Sequence, residues 1–178
     1  MSTFLVQNEN GEIDSANAYI TVEYFKDYHR SRGNEFETIS GTTYSSNEWK
    51  KAIVRATDYL DVRFSFVGIR RQQSQTTQWP RFDAFDRDEN YINGIPEVVK
   101  EATAEYALIS LTSTINPTPT RDDRGQIVVS KQEKADVLEE GVRYAPGDSF
   151  FLPRYPVADL KLTRSGLVVQ GTQLRRGD

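Results

Sequence analysis

Residues 45–64 read SSNEWKKAIVRATDYLDVRF, and this stretch decides the fold class. Trp49, Ala52, Ile53, Ala56, Leu60 and Phe64 recur at spacings of three and four, the signature of a helix with one buried face. Ser45 and Glu48 stand in capping-box register, where each side chain satisfies the other's backbone N–H. The spacing predicts a helix over Ser46–Arg63.

Working outward, Thr21 can cap a helix carrying Tyr24, Phe25 and Tyr28 as far as Arg32, with Gly33 as its left-handed stop. On the other side, Pro96 suits a first helical position because it surrenders an N–H that would be unpaired there. That helix runs to Ile115, before Asn116-Pro117, and carries two apolar stripes. Val99, Ala102, Tyr106 and Ile109 form one, while Ala104, Ala107, Leu108, Leu111 and Ile115 form the other. A helix apolar nearly all round is a central one. The predicted core unites Trp49, Ile53, Ala56, Leu60, Ala104, Leu108 and Leu111. The fold class is mainly α: a small helical bundle of three principal helices with an extended C-terminal arm containing short β-strands.

Two regions fall outside that bundle. A polar connection from Gly68 to Ile95 is long enough to need a task or a partner that covers it. After Pro117, the residues Pro119, Asp122, Asp123 and Gly125 mark a linker. Gln126–Ser130, with Ile127, Val128 and Val129, reads as a short strand, a second falls near Gly141–Tyr144, and Val157–Leu162 reads as one or two helical turns. Leu167, Val168 and Val169 form a last strand with no evident partner in the chain. Residues 1–116 are therefore expected to form the helical core domain and 117–178 an extended assembly arm.

The chain has 178 residues, no cysteine and a net charge of −4 from 22 Lys+Arg against 26 Asp+Glu. Disulfides and cysteine-based metal sites are excluded. The apolar share of 37% lies below the roughly 45–50% of ordinary domains, which suits solvated or partner-covered segments. Met1–Asn10 lacks a signal-peptide pattern and no apolar run suits a membrane span, so a soluble protein made in a cytoplasm is expected, with no membrane contact. The acidic balance argues against a protein whose main task is gripping phosphates, although a local basic patch is compatible with it.

Few residues suggest chemistry. His29 is the lone histidine, with no acid–nucleophile pair beside it, and reads as structural. Asp58 and Asp61 lie near Arg55 and Arg63 and read as helical ion pairs. Asp86, Asp88, Asn90 and Glu97 match positions one, three, five and twelve of a calcium loop. Tyr91 occupies the place of the required glycine, however, so a polar loop entering a helix fits better. No phosphate-binding or nucleophile-elbow motif occurs. No catalytic residue, cofactor or metal is expected, and the chain is not read as an enzyme. Arg70, Arg71 and Arg81 interleave with Trp79 and Phe82. That composition suits single-stranded nucleic acid, or equally a subunit boundary, and the acidic total favours the boundary.

Four blocks carry a resemblance to a known family. They are Asn17–Thr21 leading into an aromatic helix; Trp49 with Ala52–Leu60; Phe66–Gly68 and Arg70 with Gln75–Arg81; and Ile95–Val98 with Ala102–Leu108. In this order they resemble the phage head–tail adaptor or connector family that is often labelled DnaT-like single-stranded-DNA-binding protein. The match covers roughly Ser15–Ile115. It implies a homo-oligomeric ring, commonly twelve-fold, located in the virion at the capsid vertex. There it would bind the portal protein and a tail or head-completion protein, and double-stranded DNA would pass transiently through its channel. The alternative is a single-stranded-DNA-binding replication accessory protein. The interface candidates are Arg70, Arg71, Trp79, Arg81, Ile127, Val128, Val129, Leu167, Val168 and Val169.

Overall fold

The computed structural model describes residues 3–34, 44–116, 128–133, 140–144 and 154–169. Among them the protein is mainly helical, with four helices and two two-stranded ribbons. No helix is long and apolar enough to cross a membrane among the described residues. The chain divides into two units: Met1–Ile115 together with Tyr155–Asp178, and Asn116–Arg154.

In the first unit, α1 (Val22–Arg30) starts where Thr21 Oγ1 accepts from Tyr24 N at 3.1 Å. It stops short of the expected Arg32, because Ser31 caps it and Asn34 N returns to His29 O through Gly33 at φ +78°. Helix α2 (Ser46–Arg63) has the expected bounds. Its capping box is present, with Ser45 N donating to Glu48 Oε2 at 2.7 Å. Helix α3 (Glu97–Thr112) begins one residue after Pro96, which takes the cap position rather than the first turn.

Helix α3 packs mainly against α2 and α4 and to a lesser extent against α1, as its two apolar stripes require. Trp49, Ile53, Ala56, Leu60 and Ala104 are buried as expected. Leu108 and Leu111 are only half-buried, whereas the small residues Ala104, Ala107 and Ser110 of the same helix are buried. Phe25 meets Trp49 at 5.3 Å between ring centroids. Tyr59 and Tyr106 pack edge-on at 5.2 Å. Aromatic pairs in such geometries add to the area they bury.

The expected arm is corrected on two counts. First, α4 (Pro156–Arg164) belongs to the helical unit, where Ala158 and Leu162 are buried against α3. Arg63 ion-pairs with Asp159 at 2.7 Å and Tyr106 donates to the same carboxylate at 2.5 Å. The 167–169 strand does have a partner in its own chain: Val67 N donates to Leu167 O at 3.0 Å and Val169 N to Ser65 O at 2.8 Å. Leu167 is buried, Val168 is half-buried and bridges Phe66, and Val169 is exposed.

Second, the two strands read at 126–130 and 141–144 pair with each other over their described residues. In the Asn116–Arg154 unit, β3 (Val128–Glu133) pairs antiparallel with β4 (Glu140–Tyr144), with Ser130 opposite Arg143 and Gln132 opposite Gly141. A hairpin between close neighbours satisfies backbone groups that a lone strand would leave open. Ile127 lies outside the described residues, as do the side chains of Val128 and Val129.

The Gly68–Ile95 connection folds back on the helices. Strands β1 (Ile69–Arg70) and β2 (Arg81–Phe82) form a short antiparallel ribbon, with Ile69 opposite Phe82. Gly68 adopts φ +76° beneath it, and a Cβ there would fall 2.2 Å from Phe82 O.

Candidate nucleic-acid interface

The cluster of arginines and aromatics around Trp79 is where the sequence placed binding, and the fold takes that cluster apart. Trp79 is fully buried against Phe66 at 5.6 Å. It is held there by Tyr19, whose hydroxyl accepts from Trp79 N at 3.1 Å and from Gln78 N at 2.9 Å. Tyr19 in turn donates to Asp61 Oδ1 at 2.5 Å, and Asp61 Oδ2 accepts from Gln78 N at 3.0 Å. Burial pushes the Asp61 carboxyl up to about 7, against the opposing pull of these donors. The expected pairing of Asp61 with a helical arginine is thereby corrected: Asp61 turns inward to the loop, and Arg63 turns to Asp159.

Arg81 donates to Val67 O and Gly68 O, both at 2.7 Å, and to Gln78 O at 3.1 Å. Arg70 donates to Gln75 O at 3.2 Å. Arg71 donates to Glu9 O and Asn93 Oδ1, both at 3.3 Å, and lies 5.0 Å over the Phe82 ring. Trp79 and Arg81 therefore serve the loop's own structure. A carbonyl-bonded guanidinium satisfies orphan acceptors that the loop would otherwise bury. The sequence does hold a signal for this in Gln75 and Thr77, polar residues that end up buried. Gln75 Nε2 bridges Thr77 O and Pro80 O at 2.9 and 3.1 Å.

The large apolar side chains left exposed on the ribbon and the loop after it are Ile69, Phe82, Phe85 and Tyr91. Phe85 and Tyr91 bridge backbone to backbone and pack edge-on at 5.6 Å. Around them Arg70, Arg71 and Arg87 are offset by Asp83, Asp88 and Glu89. The surface is apolar and nearly charge-balanced.

The remaining sequence candidates have structural tasks. His29 is buried, donates from Nε2 to Ala104 O at 3.0 Å, and has Asn34 Nδ2 at 3.3 Å from Nδ1. Desolvation holds its imidazole below the usual range. Asp86 Oδ1 accepts from the backbone N–H groups of Asp88 and Asn90, each at 2.9 Å, so this carboxylate closes its own turn. Glu97 accepts from the Tyr24 hydroxyl instead of facing Asp86. No group of three His, Asp or Glu able to hold a metal occurs among the described residues.

A concave surface lined by cations lies elsewhere among the described residues, at a place the sequence reading missed. A cleft of about 510 Å³ opens along one side of α2, lined by Asn47, Lys50, Lys51, Val54 and Arg55. These positions are separated by three and four, so a helix presents them as one face. The opposite wall is the N-terminal segment, through Phe4 and Asn17. A parallel bridge between Val6 and Ala18 fixes that segment. Asn17 fixes it further, accepting from Leu5 N at 3.0 Å and donating to Thr3 O at 2.8 Å.

Lys50, Lys51 and Arg55 form no ion pair with a described residue. Lys50 Nζ stands 5.9 Å from the centroid of the Phe4 ring. Two acids outside the lining act on these cations through space, Glu23 on Lys50 and Glu48 on Lys51, and both sit at helix N-termini. There backbone donors and then the cap hydroxyls hold both carboxylates below their usual range. Three cations, an aromatic ring and no lining acid can neutralise phosphate and stack a base.

A family model described as "Putative DnaT-like ssDNA binding protein" matches residues 3–175. The chain belongs to that family. The match takes in both walls of the α2 cleft, the buried Trp79 loop and α4. The family's description names single-stranded DNA and says nothing of a portal, a tail or a virion. No curated protein and no solved structure matches the chain.

Proposed function

We propose that the protein binds single-stranded DNA, the reading that stood second when the sequence was taken alone. One observation carries it: Lys50, Lys51 and Arg55 line a concave face without an acid among the lining residues, in a chain whose net charge is −4. Cations are concentrated where a backbone of phosphates could lie, and the family's description names the same ligand. Three neutralised phosphates on a single strand correspond to a slope of about −2 in log affinity against log salt. Fluorescence anisotropy of a labelled oligothymidylate over a salt series tests this. Replacing all three cations by alanine is expected to flatten the slope towards zero. A slope unchanged by the triple substitution removes the cleft from the reading, and absence of binding at low salt refutes the reading itself. No catalytic step is assigned to the site.

A second reading, the head–tail adaptor, is favoured by the exposed Ile69, Phe82, Phe85 and Tyr91. An apolar and charge-balanced surface is suited to a protein neighbour. In this reading the chain forms a ring at the capsid vertex, meets a portal and a tail protein, and conducts double-stranded DNA. Native mass spectrometry, alone and with a portal protein, tests it. Closed rings that dissociate when Phe82 and Tyr91 become serine support it, and a monomer under both conditions opposes it.

A further inference from the structure

The cationic cleft explains attraction to phosphate, but attraction alone does not distinguish one strand from two. Phe4 supplies the missing element. Its ring is half-buried in the cleft wall, opposite the helical face that carries Lys50, Lys51 and Arg55. The segment beneath it is pinned by four hydrogen bonds: Asn17 N to Leu5 O at 2.9 Å and Gln7 N to Ala18 O at 2.8 Å, around the Val6–Ala18 bridge, and the two Asn17 side-chain bonds. A ring on a pinned backbone gives up little conformational freedom when a base settles on it, which is what a stacking platform needs.

From this geometry we infer that Phe4 is the base-stacking side chain of the cleft, and that it makes the cleft selective for unpaired nucleotides. The inference rests on the single-stranded-DNA reading above. In the free protein, Lys50 Nζ lies toward the Phe4 ring at 5.9 Å. A base arriving on that ring displaces the ammonium, which can then reach the phosphate of the same nucleotide. Val54 offers the base an apolar floor, while Lys51 and Arg55 meet neighbouring phosphates. A base in a duplex is already stacked and paired, so it cannot reach a ring set into a wall. The duplex can use only the rim cations.

The test compares labelled oligothymidylate with a labelled hairpin duplex, at one low salt concentration, for the wild type, Phe4→Ala and Phe4→Trp. Loss of one aromatic–base stack weakens binding by roughly 5- to 150-fold. Phe4→Ala is expected to lose that factor for the single strand while leaving duplex affinity unchanged. Phe4→Trp is expected to retain or exceed wild-type affinity, which separates loss of a stacking ring from loss of folding. If Phe4→Ala binds the single strand as the wild type does while the triple cation variant loses it, the Phe4 assignment is overturned and the DNA-binding reading stands. Equal weakening of both ligands by Phe4→Ala also overturns it, because the residue would then act only through the shape of the cleft. If the wild type binds no single strand, the reading and the inference fall together.

Discussion

Replacing Leu162 by alanine tests whether α4 belongs to the core or is an accessory that docks on it. Leu162 is fully buried on α4, beside buried Ala158 and five residues before buried Leu167. Truncating a leucine in such a site removes its transfer free energy and leaves a cavity, at a cost that spans about 2.7–5 kcal/mol depending on how far the walls collapse. Helix α4 has only nine residues and can shift to fill part of the gap, so the lower half of that range, about 2.7–4 kcal/mol, is expected. For a chain of this size that corresponds to roughly 5–15 °C in melting temperature. Urea unfolding followed by tryptophan fluorescence reads it directly. Trp79 is well placed to report, since Phe66 touches it and also bridges Val168 after α4. Leu160→Ala, on the exposed face of the same helix, is the control and is expected to cost under about 1 kcal/mol. Equal effects at the two positions, or a loss below about 1 kcal/mol at Leu162, refute the packing argument.

Other perturbations follow from the same contacts. Trp49→Ala is expected to cost about 3–5 kcal/mol, measured by denaturant unfolding; a loss below about 1 kcal/mol would place Trp49 outside the core. A chain ended after Asn116 loses α4 and the Leu167 contact, and is expected to show reduced helicity by circular dichroism and early, non-cooperative melting. Asp61→Asn addresses pH dependence. Burial raises the Asp61 carboxyl from its ordinary value to about 7 in the folded state, so the native protein holds this proton more tightly than the unfolded chain. Its stabilising contribution is complete below about pH 4 and is lost as pH rises through about 7. His29 acts with the opposite sign, its depressed folded value removing stability as pH falls below the unfolded range. Subtracting the Asp61→Asn stability curve from the wild-type curve cancels the histidine. The difference is expected to slope between about pH 4 and 7, and a flat difference contradicts the assignment.

The helices were legible because their signals are local. Period, cap and stop are written within a few residues of each other, as in Ser45 with Glu48, and such signals survive without knowledge of any distant contact. The stripes on α3 even anticipated that it would be the helix with neighbours on several sides. The errors that matter most for the site concern partners far away in sequence. Trp79 with three arginines has the composition of a binding surface, and only Tyr19 and Asp61, on separate elements, turn it into a buried anchor. Leu167–Val169 has no sign of a partner in its own neighbourhood, because that partner is Ser65–Val67, about a hundred residues earlier.

The cleft shows the same division from the other direction. Lys50, Lys51 and Arg55 look in sequence like the ordinary solvated side of an amphipathic helix, and nothing local marks them. They come to line one cleft only when the Thr3–Gln7 segment, held by Asn17, is laid alongside α2 and Phe4 closes the second wall. Local backbone preference and hydrophobic period determined the helices of this protein. Which charges face solvent, which face a loop carbonyl and which line a cavity depended on chain segments brought together across long sequence separations, and only the tertiary structure decides that.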